Sequence, residues 1–577
     1  MTYKEKYEKW INSSFIDAEL KKELAQLVDE KEIEDRFYKD LEFGTGGLRG
    51  LIGAGTNRMN IHTIGKATQG LSDYLKSKHT GKISVTIAYD SRNMSIEFAK
   101  AAAETLCANG ISVNLFEKLT PTPILSYAVR KMESKAGIVI TASHNPKEYN
   151  GYKVYGEDGG QVTDEVAKNI ITCVGSVEDF SKVKNMGFDN ARQSGILTII
   201  GEPIYLSYMD KVKNLTIRKE LVDKYASDLK IIYTPIHGSG NIPVRRVLKE
   251  LGYNNVFVVK EQEMPNGNFP TVPYPNPEEP KVFELALEMA KDINPDIIFG
   301  TDPDCDRIGV VVKGDEGKYK VLSGNQTGVL LSNYILNSLS ETKQLPSNGV
   351  LIKTIVTTDM VDTISKKYNV EVLDVLTGFK YIGEKIKEFE KTCEKDFIFG
   401  FEESFGYLAG NFVRDKDAVI AAMLICEMTL YYKNKGLSLY DALIGIYKEH
   451  GYYKEGLVSI ELKGKDGANK IINILENLRN SMKESINNNR IIKKMDYKLS
   501  LEMDLISNTK KSIKLPKSNV LKFVLEDGSW FVVRPSGTEP KMKIYLSVKG
   551  DSLENASEKL IDLRKDVMET IDKAGIN

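Results

Sequence analysis

Three widely spaced segments constrain the fold of this chain more than any other feature: GIVITASHNP from Gly137, DIIFGTDPDCDR from Asp296 and DFIFGFEESFG from Asp396. Each is a short apolar run that breaks into a loop of small and polar residues. Such runs, bounded by turn residues, read as buried strands. In parallel sheets the ligand-binding loops lie at the carboxyl ends of the strands. Further β-branched runs (Ile83–Ala88, Ile231–Tyr233, Val256–Val259, Val350–Ile352) alternate with stretches whose apolar residues have helical spacing (Ile96–Asn109, Pro243–Leu251, Val282–Lys291, Met360–Tyr368). That alternation implies βαβ units and mixed, largely parallel sheets. Three tandem α/β domains are therefore expected, each offering one loop to a shared site.

The last stretch breaks the pattern. Tyr452–Leu462 and Val520–Val533 read as antiparallel strands, the second with a hairpin at Glu526–Ser529, while Asn469–Lys483 and Glu554–Ala574 read as helices. A C-terminal α+β domain follows. A length of 577 residues accommodates about four domains of roughly 150 residues. The expected boundaries are 1–205, 206–322, 323–450 and 451–577.

Charge and composition exclude several functions. Lys+Arg (79) and Asp+Glu (80) nearly cancel, so no global field favours nucleic acid or an acidic membrane as partner. The five cysteines are scattered without a C-x-x-C pair, which argues against a disulfide framework or a zinc ribbon and suits a reducing compartment. Five histidines without H-E-x-x-H make a His-rich metal centre a poor expectation. The opening residues, MTYKEKYEKWINSSF, lack the apolar core of a signal peptide. The longest apolar run, Ala418–Cys426, is far too short to span a membrane and reads as a buried helix. A soluble, cytoplasmic protein is expected.

Four loops carry chemistry. In Asp302-Pro303-Asp304-Cys305-Asp306-Arg307, alternate residues of an extended segment would share a face, so three carboxylates could meet on one hard cation. An EF-hand would need Gly and Glu where Arg307 and Lys313 stand. The competing reading is an acidic turn capping backbone amides. In TASHNP, Ser143 is either a nucleophile or phosphoryl carrier, or a turn serine bonding its own backbone. A serine hydrolase has no G-x-S-x-G here, and an extended backbone would point the adjacent His144 away from Ser143. Glu402 and Ser404 in GFEESFG could bind vicinal sugar hydroxyls or simply cap a turn. In RPSGTEPK, Arg534, Ser536, Gly537 and Thr538 supply donors suited to a phosphate dianion; the alternative is a hairpin exit with a solvated arginine. Near the N-terminus, GTGGLRG is neither a dinucleotide fingerprint nor a Walker A loop, but Thr45 and Arg49 are candidate anion contacts.

Taken in order, TASHNP (141–146), DPDCDR (302–307), GFEESFG (400–406) and RPSGTEPK (534–541) closely resemble the four signature loops of the α-D-phosphohexomutase superfamily. GTGGLRG, TPIHGSG and TGFKYIGEK resemble further family segments, and the resemblance spans roughly residues 40 to 545. The length and flanks are similar to the longer branch that holds phosphoglucomutases and phosphopentomutases. The resemblance implies a four-domain, heart-shaped protein with one loop per domain facing a central cleft. It implies an intramolecular phosphotransferase that exchanges the 1- and 6-phosphates of glucose, with pentose or mannose phosphates, or a non-catalytic sugar-phosphate binder, as alternatives. Ser143 would be the phosphoserine, and Asp302, Asp304 and Asp306 would hold Mg²⁺ together with a phosphoserine oxygen. Arg307 would contact sugar or phosphate, and Thr377, Glu402 and Ser404 would read sugar hydroxyls. Lys416 matches the family's cleft lysine, while His144 and Lys153 are proton-transfer or positioning candidates. Arg534, Ser536, Gly537 and Thr538 would hold the phosphate that is not reacting. The implied cofactors are Mg²⁺ and glucose 1,6-bisphosphate, and the implied partners are small sugar phosphates.

Overall fold

The β-branched runs form strands, and helices lie between them. The structure, a computed structural model, describes residues 1–44, 46–462, 464–481, 484–486, 488–535 and 541–576. Strands β1 (Gly47–Leu51), β2 (Ser84–Tyr89), β3 (Ser112–Phe116), β4 (Ala136–Ile140), β5 (Tyr149–Gly156) and β6 (Leu197–Ile200) form a sheet in the order β1-β5-β4-β2-β3-β6. Its β4-β2-β3-β6 part is parallel, and β5 and β1 are added antiparallel. Successive residues of β4 point to opposite faces. Ile138 and Ile140 join Phe98 and Ala102 in one core, whereas a side chain at Gly137 would collide with Val129 of the helix Thr122–Lys131. Both faces are thus covered, which explains why the strand is apolar throughout.

A second sheet repeats the plan. β7 (Ile231–Thr234), β8 (Val256–Val258) and β9 (Ile297–Thr301) are parallel, and β10 (Ile308–Lys313) and β11 (Tyr319–Val321) are antiparallel, in the order β11-β10-β9-β7-β8. Asp396–Glu402 likewise turns back into Gly406–Ala409 as an antiparallel pair. All three loops singled out in the sequence are therefore hairpin connections that return beside the strand they leave. Each contains one non-glycine residue in the left-handed region: Ser143 (φ 53°), Cys305 (φ 54°) and Phe405 (φ 65°).

These elements belong to one compact unit, Met1–Gly324 with Phe379–Ser438. Its helix Ala418–Asn434 is buried continuously through Tyr432, as the apolar run predicts. Glu427, fully buried within it, accepts the backbone N–H groups of Ile217 (3.0 Å) and Arg218 (2.6 Å), so its charge is not left unpaired. Three N-terminal helices that the sequence reading does not anticipate, Tyr3–Asn12, Ala18–Ala25 and Glu30–Phe37, pack through Trp10, Leu24 and Phe37.

The second unit comprises Asn325–Gly378 and Leu439–Asn577. Gly349–Thr354 and Glu371–Val375 pair parallel. The expected C-terminal strands are Tyr452–Glu461, Leu521–Leu525 and Trp530–Pro535, paired antiparallel in one sheet with Lys541–Gly550. The expected helix Asn469–Lys483 starts earlier, at Gly464, and ends at Asn480. Strands Asn489–Asp496, Leu501–Asp504 and Thr509–Ser512 extend this sheet where the sequence reading assigns nothing. Among the described residues, no helix is long and apolar enough to cross a membrane.

Candidate active site

The chain leaves β4 at Ile140 and reverses at Ser143. Thr141 Oγ1 accepts the Ser143 N–H (2.7 Å) and donates to the buried carboxylate of Asp90 (2.6 Å). Arg92, whose side chain is wholly buried, donates to the carbonyls of Ser143 (2.5 Å), Pro146 (2.8 Å) and Tyr149 (3.1 Å), and also to that of Asn145. One guanidinium thus ties down four carbonyls of the serine loop. A left-handed non-glycine residue costs roughly 1–3 kcal/mol and persists only where its surroundings over-determine it; Arg92 and Thr141 do so here.

The consequence is the placement of the hydroxyl. Ser143 Oγ donates to Asp302 Oδ2 at 2.7 Å and lies 3.2 Å from His144 Nδ1. The expectation that His144 points away from Ser143 is wrong, because it assumes extended backbone and Ser143 is left-handed. The expectation of an extended Asp302–Arg307 segment is also wrong. Cys305 is left-handed and its N–H bonds Asp302 O (2.9 Å), so the carboxylates converge by curling of a turn rather than by strand alternation.

Asp302, Asp304 and Asp306 are all buried, and one carboxylate oxygen from each lies within 4.8 Å of the others. Asp302 Oδ1 accepts the N–H groups of Asp306 (3.1 Å) and Arg307 (3.0 Å). Asp304 Oδ2 accepts from Lys153 Nζ (2.8 Å) and Thr122 Oγ1 (2.9 Å). Asp306 Oδ2 faces Lys416 Nζ at 3.1 Å and Lys153 Nζ at 3.5 Å. Among the described residues, Asp304 Oδ1 and Asp306 Oδ1 are buried without a hydrogen-bond partner. Buried carboxylate oxygens of this kind fit a hard, oxygen-ligated cation.

Electrostatics agree. Burial, reinforced by Asp304 and Asp306, pushes the Asp302 carboxyl well above the usual carboxylate range. Burial pushes Asp304 the same way, but Lys153 more than compensates and holds it low. Lys153 and Lys416 oppose their own burial with these carboxylates and stay protonated. Burial lowers His144 far below the usual histidine range, aided by Arg307 and Arg49, so its ring is neutral. Asp415 links outward, accepting from Lys416 Nζ (3.2 Å) and from the Tyr155 hydroxyl (2.7 Å).

The third loop docks on the second. Arg307 Nη1 donates to Glu278 Oε1 (2.7 Å) and to Ser404 O (3.0 Å), and Ile308 N–H donates to Phe405 O (3.1 Å). Glu402 is buried, and its charge acts on both Arg307 and Lys416. Arg49 Nη1 donates to Asn145 Oδ1 (3.0 Å), beside the serine loop. In TPIHGSG, a side chain at Gly238 would meet Pro303 Cα at 2.6 Å, and Ser239 donates through both N–H and Oγ to Pro303 O (2.8 Å each). That segment is the bed of the carboxylate turn.

Of the remaining sequence-predicted residues, Thr377 lies in the second unit with Oγ1 buried and unpartnered among the described residues. Arg534 is the penultimate residue of the second unit's strand Trp530–Pro535, opposite Lys543. Thr45, Ser536, Gly537 and Thr538 lie outside the described residues. Sequence reasoning missed Asp90, Arg92, Thr122 and Asp415. The DSRN string directly after β2 was a usable signal for the first two, because it too ends a parallel core strand.

Three buried carboxylates that could hold a metal ion thus stand beside a strand-end serine hydroxyl, on mixed sheets. Family models for the phosphoglucomutase/phosphomannomutase domains match in order: α/β/α domain I at 40–180, II at 206–317, III at 323–448 and the C-terminal domain at 477–560. The chain is 37% identical over 525 residues to a phosphoglucomutase of Staphylococcus haemolyticus, covering 91% of this chain and 93% of the relative. It is 35% identical to that of Staphylococcus saprophyticus, covering 95% and 97%. Among solved structures, parafusin of Paramecium, a phosphoglucomutase in an open form, superposes with a TM-score of 0.67 at 18% identity (93% and 95% covered). A phosphoglucomutase/phosphomannomutase family protein of Burkholderia thailandensis gives 0.66 at 17% (92% and 97%). The chain belongs to the phosphoglucomutase/phosphomannomutase family of the α-D-phosphohexomutase superfamily, and is an enzyme of the intramolecular phosphotransferase class.

Proposed function

We propose that the protein is a phosphoglucomutase, interconverting α-D-glucose 1-phosphate and glucose 6-phosphate through phosphoserine at Ser143 and a glucose 1,6-bisphosphate intermediate. The observation that carries this reading is the Ser143 hydroxyl at 2.7 Å from Asp302, in a cage where Asp304 and Asp306 each keep an oxygen unpartnered among the described residues. The curated relatives support glucose as the sugar.

In the first half-reaction the sugar's free hydroxyl attacks the Ser143 phosphoryl group. Its new O–P bond forms as the Ser143 O–P bond breaks, and the hydroxyl proton passes to a base. His144, whose Nδ1 lies 3.2 Å from Ser143 Oγ, is placed to accept it. Asp302, Asp304 and Asp306 would hold Mg²⁺, which would supply positive charge against the transferring group. Lys153 and Lys416, held protonated, add to that charge. Thr377, Glu402 and Ser404 bind sugar hydroxyls; Thr45, Arg49 and Arg307 contact substrate anions. Arg534, Ser536, Gly537 and Thr538 bind the phosphate that is not reacting. The reverse half-reaction returns the bisphosphate's other phosphate to Ser143. We place the four domains at 1–205, 206–322, 323–450 and 451–577, with one loop in each.

The test is a coupled assay with glucose, ribose and mannose 1-phosphates and a trace of glucose 1,6-bisphosphate, alongside phosphopeptide mapping. Glucose 1-phosphate is expected to be favoured by roughly tenfold or more in kcat/KM, with label on Ser143 and Ser143→Ala inactive. Faster turnover of ribose 1-phosphate would replace the substrate assignment. Label elsewhere with an active Ser143→Ala variant would remove the mechanism.

A further inference from the structure

Each carboxylate of the cage has an oxygen engaged by protein donors, and Asp302 has both, since Ser143 Oγ donates to its Oδ2. Asp302 Oδ1 takes two backbone N–H groups, and Asp306 Oδ2 faces Lys416 and Lys153. Asp304 Oδ2 takes Lys153 and Thr122, and its other oxygen is buried without a partner among the described residues. Among these donors, the uncharged side chains are the hydroxyls of Ser143, the proposed phosphoryl carrier, and Thr122. Thr122 lies in none of the sequence motifs and is fully buried. It begins the helix Thr122–Lys131, with Pro121 and Pro123 on either side fixing the backbone there. Its N–H donates to Asp304 O (2.9 Å) while its Oγ1 donates to Asp304 Oδ2 (2.9 Å). This two-point clamp joins positions 182 residues apart in sequence.

We propose that Thr122 is a positioning residue that fixes the Asp304 carboxylate so that it offers a cation a single oxygen, and that it thereby biases the site toward small octahedral ions over Ca²⁺. The physical argument is coordination number. Mg²⁺ and Mn²⁺ accept one oxygen per carboxylate in a tight octahedron, whereas Ca²⁺ prefers six to eight oxygens and gains from bidentate carboxylates. A carboxylate whose second oxygen is held by a hydroxyl and an ammonium cannot swing to present both. Removing the hydroxyl leaves the charge of the cage unchanged but frees one of the two restraints. The inference rests on the cage being the metal site, and its readout is metal binding itself, without turnover.

The experiment is direct Mn²⁺ binding, followed by electron paramagnetic resonance of free Mn²⁺, with Mg²⁺ and Ca²⁺ as competitors, on wild type, Thr122→Val, Thr122→Ala and Thr122→Ser. Thermal unfolding of each variant identifies those that are folded; Thr122→Ala serves if Thr122→Val is not. The hydroxyl-free variant is expected to bind Mn²⁺ roughly tenfold more weakly, the loss typical of one hydrogen bond to a charged group, and to lose much of its preference for Mg²⁺ over Ca²⁺. Thr122→Ser is expected to restore both. Wild-type Mn²⁺ affinity and Mg²⁺/Ca²⁺ preference in the hydroxyl-free variant would overturn the proposal. So would a Thr122→Ser variant as impaired as Thr122→Val, since the methyl group and not the hydroxyl would then be responsible. Absence of stoichiometric Mn²⁺ binding by wild type would instead fell the metal assignment on which the mechanism stands.

Discussion

Arg92 shows how much of the site is built by residues buried behind it. Its guanidinium reaches four carbonyls of the serine loop while flanking Asp90 at 3.4 Å. Lysine would keep the charge, but its three donors on a single nitrogen cannot span that set. Arg92→Lys is therefore expected to fold, to lose about 1–3 kcal/mol of stability from carbonyls left without donors, and to lose at least about tenfold in kcat as Ser143 shifts from its left-handed position. Urea unfolding and steady-state kinetics check the two parts; wild-type values for both would show that the loop holds its shape unaided. His144 carries the same lesson in sequence terms. Its neighbour's identity was legible, but the direction of its ring depended on one φ angle.

At the scale of elements, the helix Ala418–Asn434 begins on a buried carboxylate. Asp417 accepts the N–H groups of Val419 and Ile420 (2.9 Å each) and the Tyr208 hydroxyl (2.6 Å). Burial nevertheless raises its pKa from 3.8 to about 7. The folded chain therefore keeps a proton there that the unfolded chain releases, so between about pH 4 and 7 the folded state binds more protons and this contribution to stability falls as pH rises. Asparagine preserves the cap and the acceptor for the amides but does not titrate. Asp417→Asn is expected to gain on wild type by about 2–3 kcal/mol between pH 5 and pH 7, measured by urea unfolding at both pH values; parallel pH profiles would refute the shift. The run Ala418–Cys426 announced this helix through composition alone, since a helix buried on all sides needs no amphipathic period. The N-terminal helices were not legible because they are short and Lys/Glu-rich. Each presents only one or two buried side chains, such as Trp10 and Phe37, and folds against neighbours rather than by propensity.

Across the whole molecule, the chain passes three times between its two compact units, at 324/325, 378/379 and 438/439. The carboxylate cage lies wholly within the unit formed by Met1–Gly324 and Phe379–Ser438. Large chains with separate cores seldom unfold in one step. Scanning calorimetry is expected to give at least two transitions, with Mg²⁺ in excess raising the midpoint of only one. At a ligand concentration one hundred times Kd the stabilisation amounts to about 2.7 kcal/mol. Asp304→Asn is expected to abolish that shift while leaving the other transition in place. A single transition that moves as a whole with Mg²⁺ would contradict both expectations.

The sequence by itself determined the three core strands that lead into the site, the loops that end them and the identity of the caged carboxylates, because these are local. Apolar period marks the strands Ala136–Ile140, Ile297–Thr301 and Asp396–Glu402, and small or acidic residues mark where each must stop. Tertiary structure alone decided what those loops do to one another. Ser143 meets Asp302 across 159 residues, and Thr122 meets Asp304 across 182. Ser143 and Cys305 occupy left-handed backbone that neither residue type prefers in isolation. The physical reason is that a hydrogen bond to a buried carboxylate, or the strain of a left-handed turn, depends on what the rest of the fold brings alongside, and no local pattern of residues encodes that neighbour.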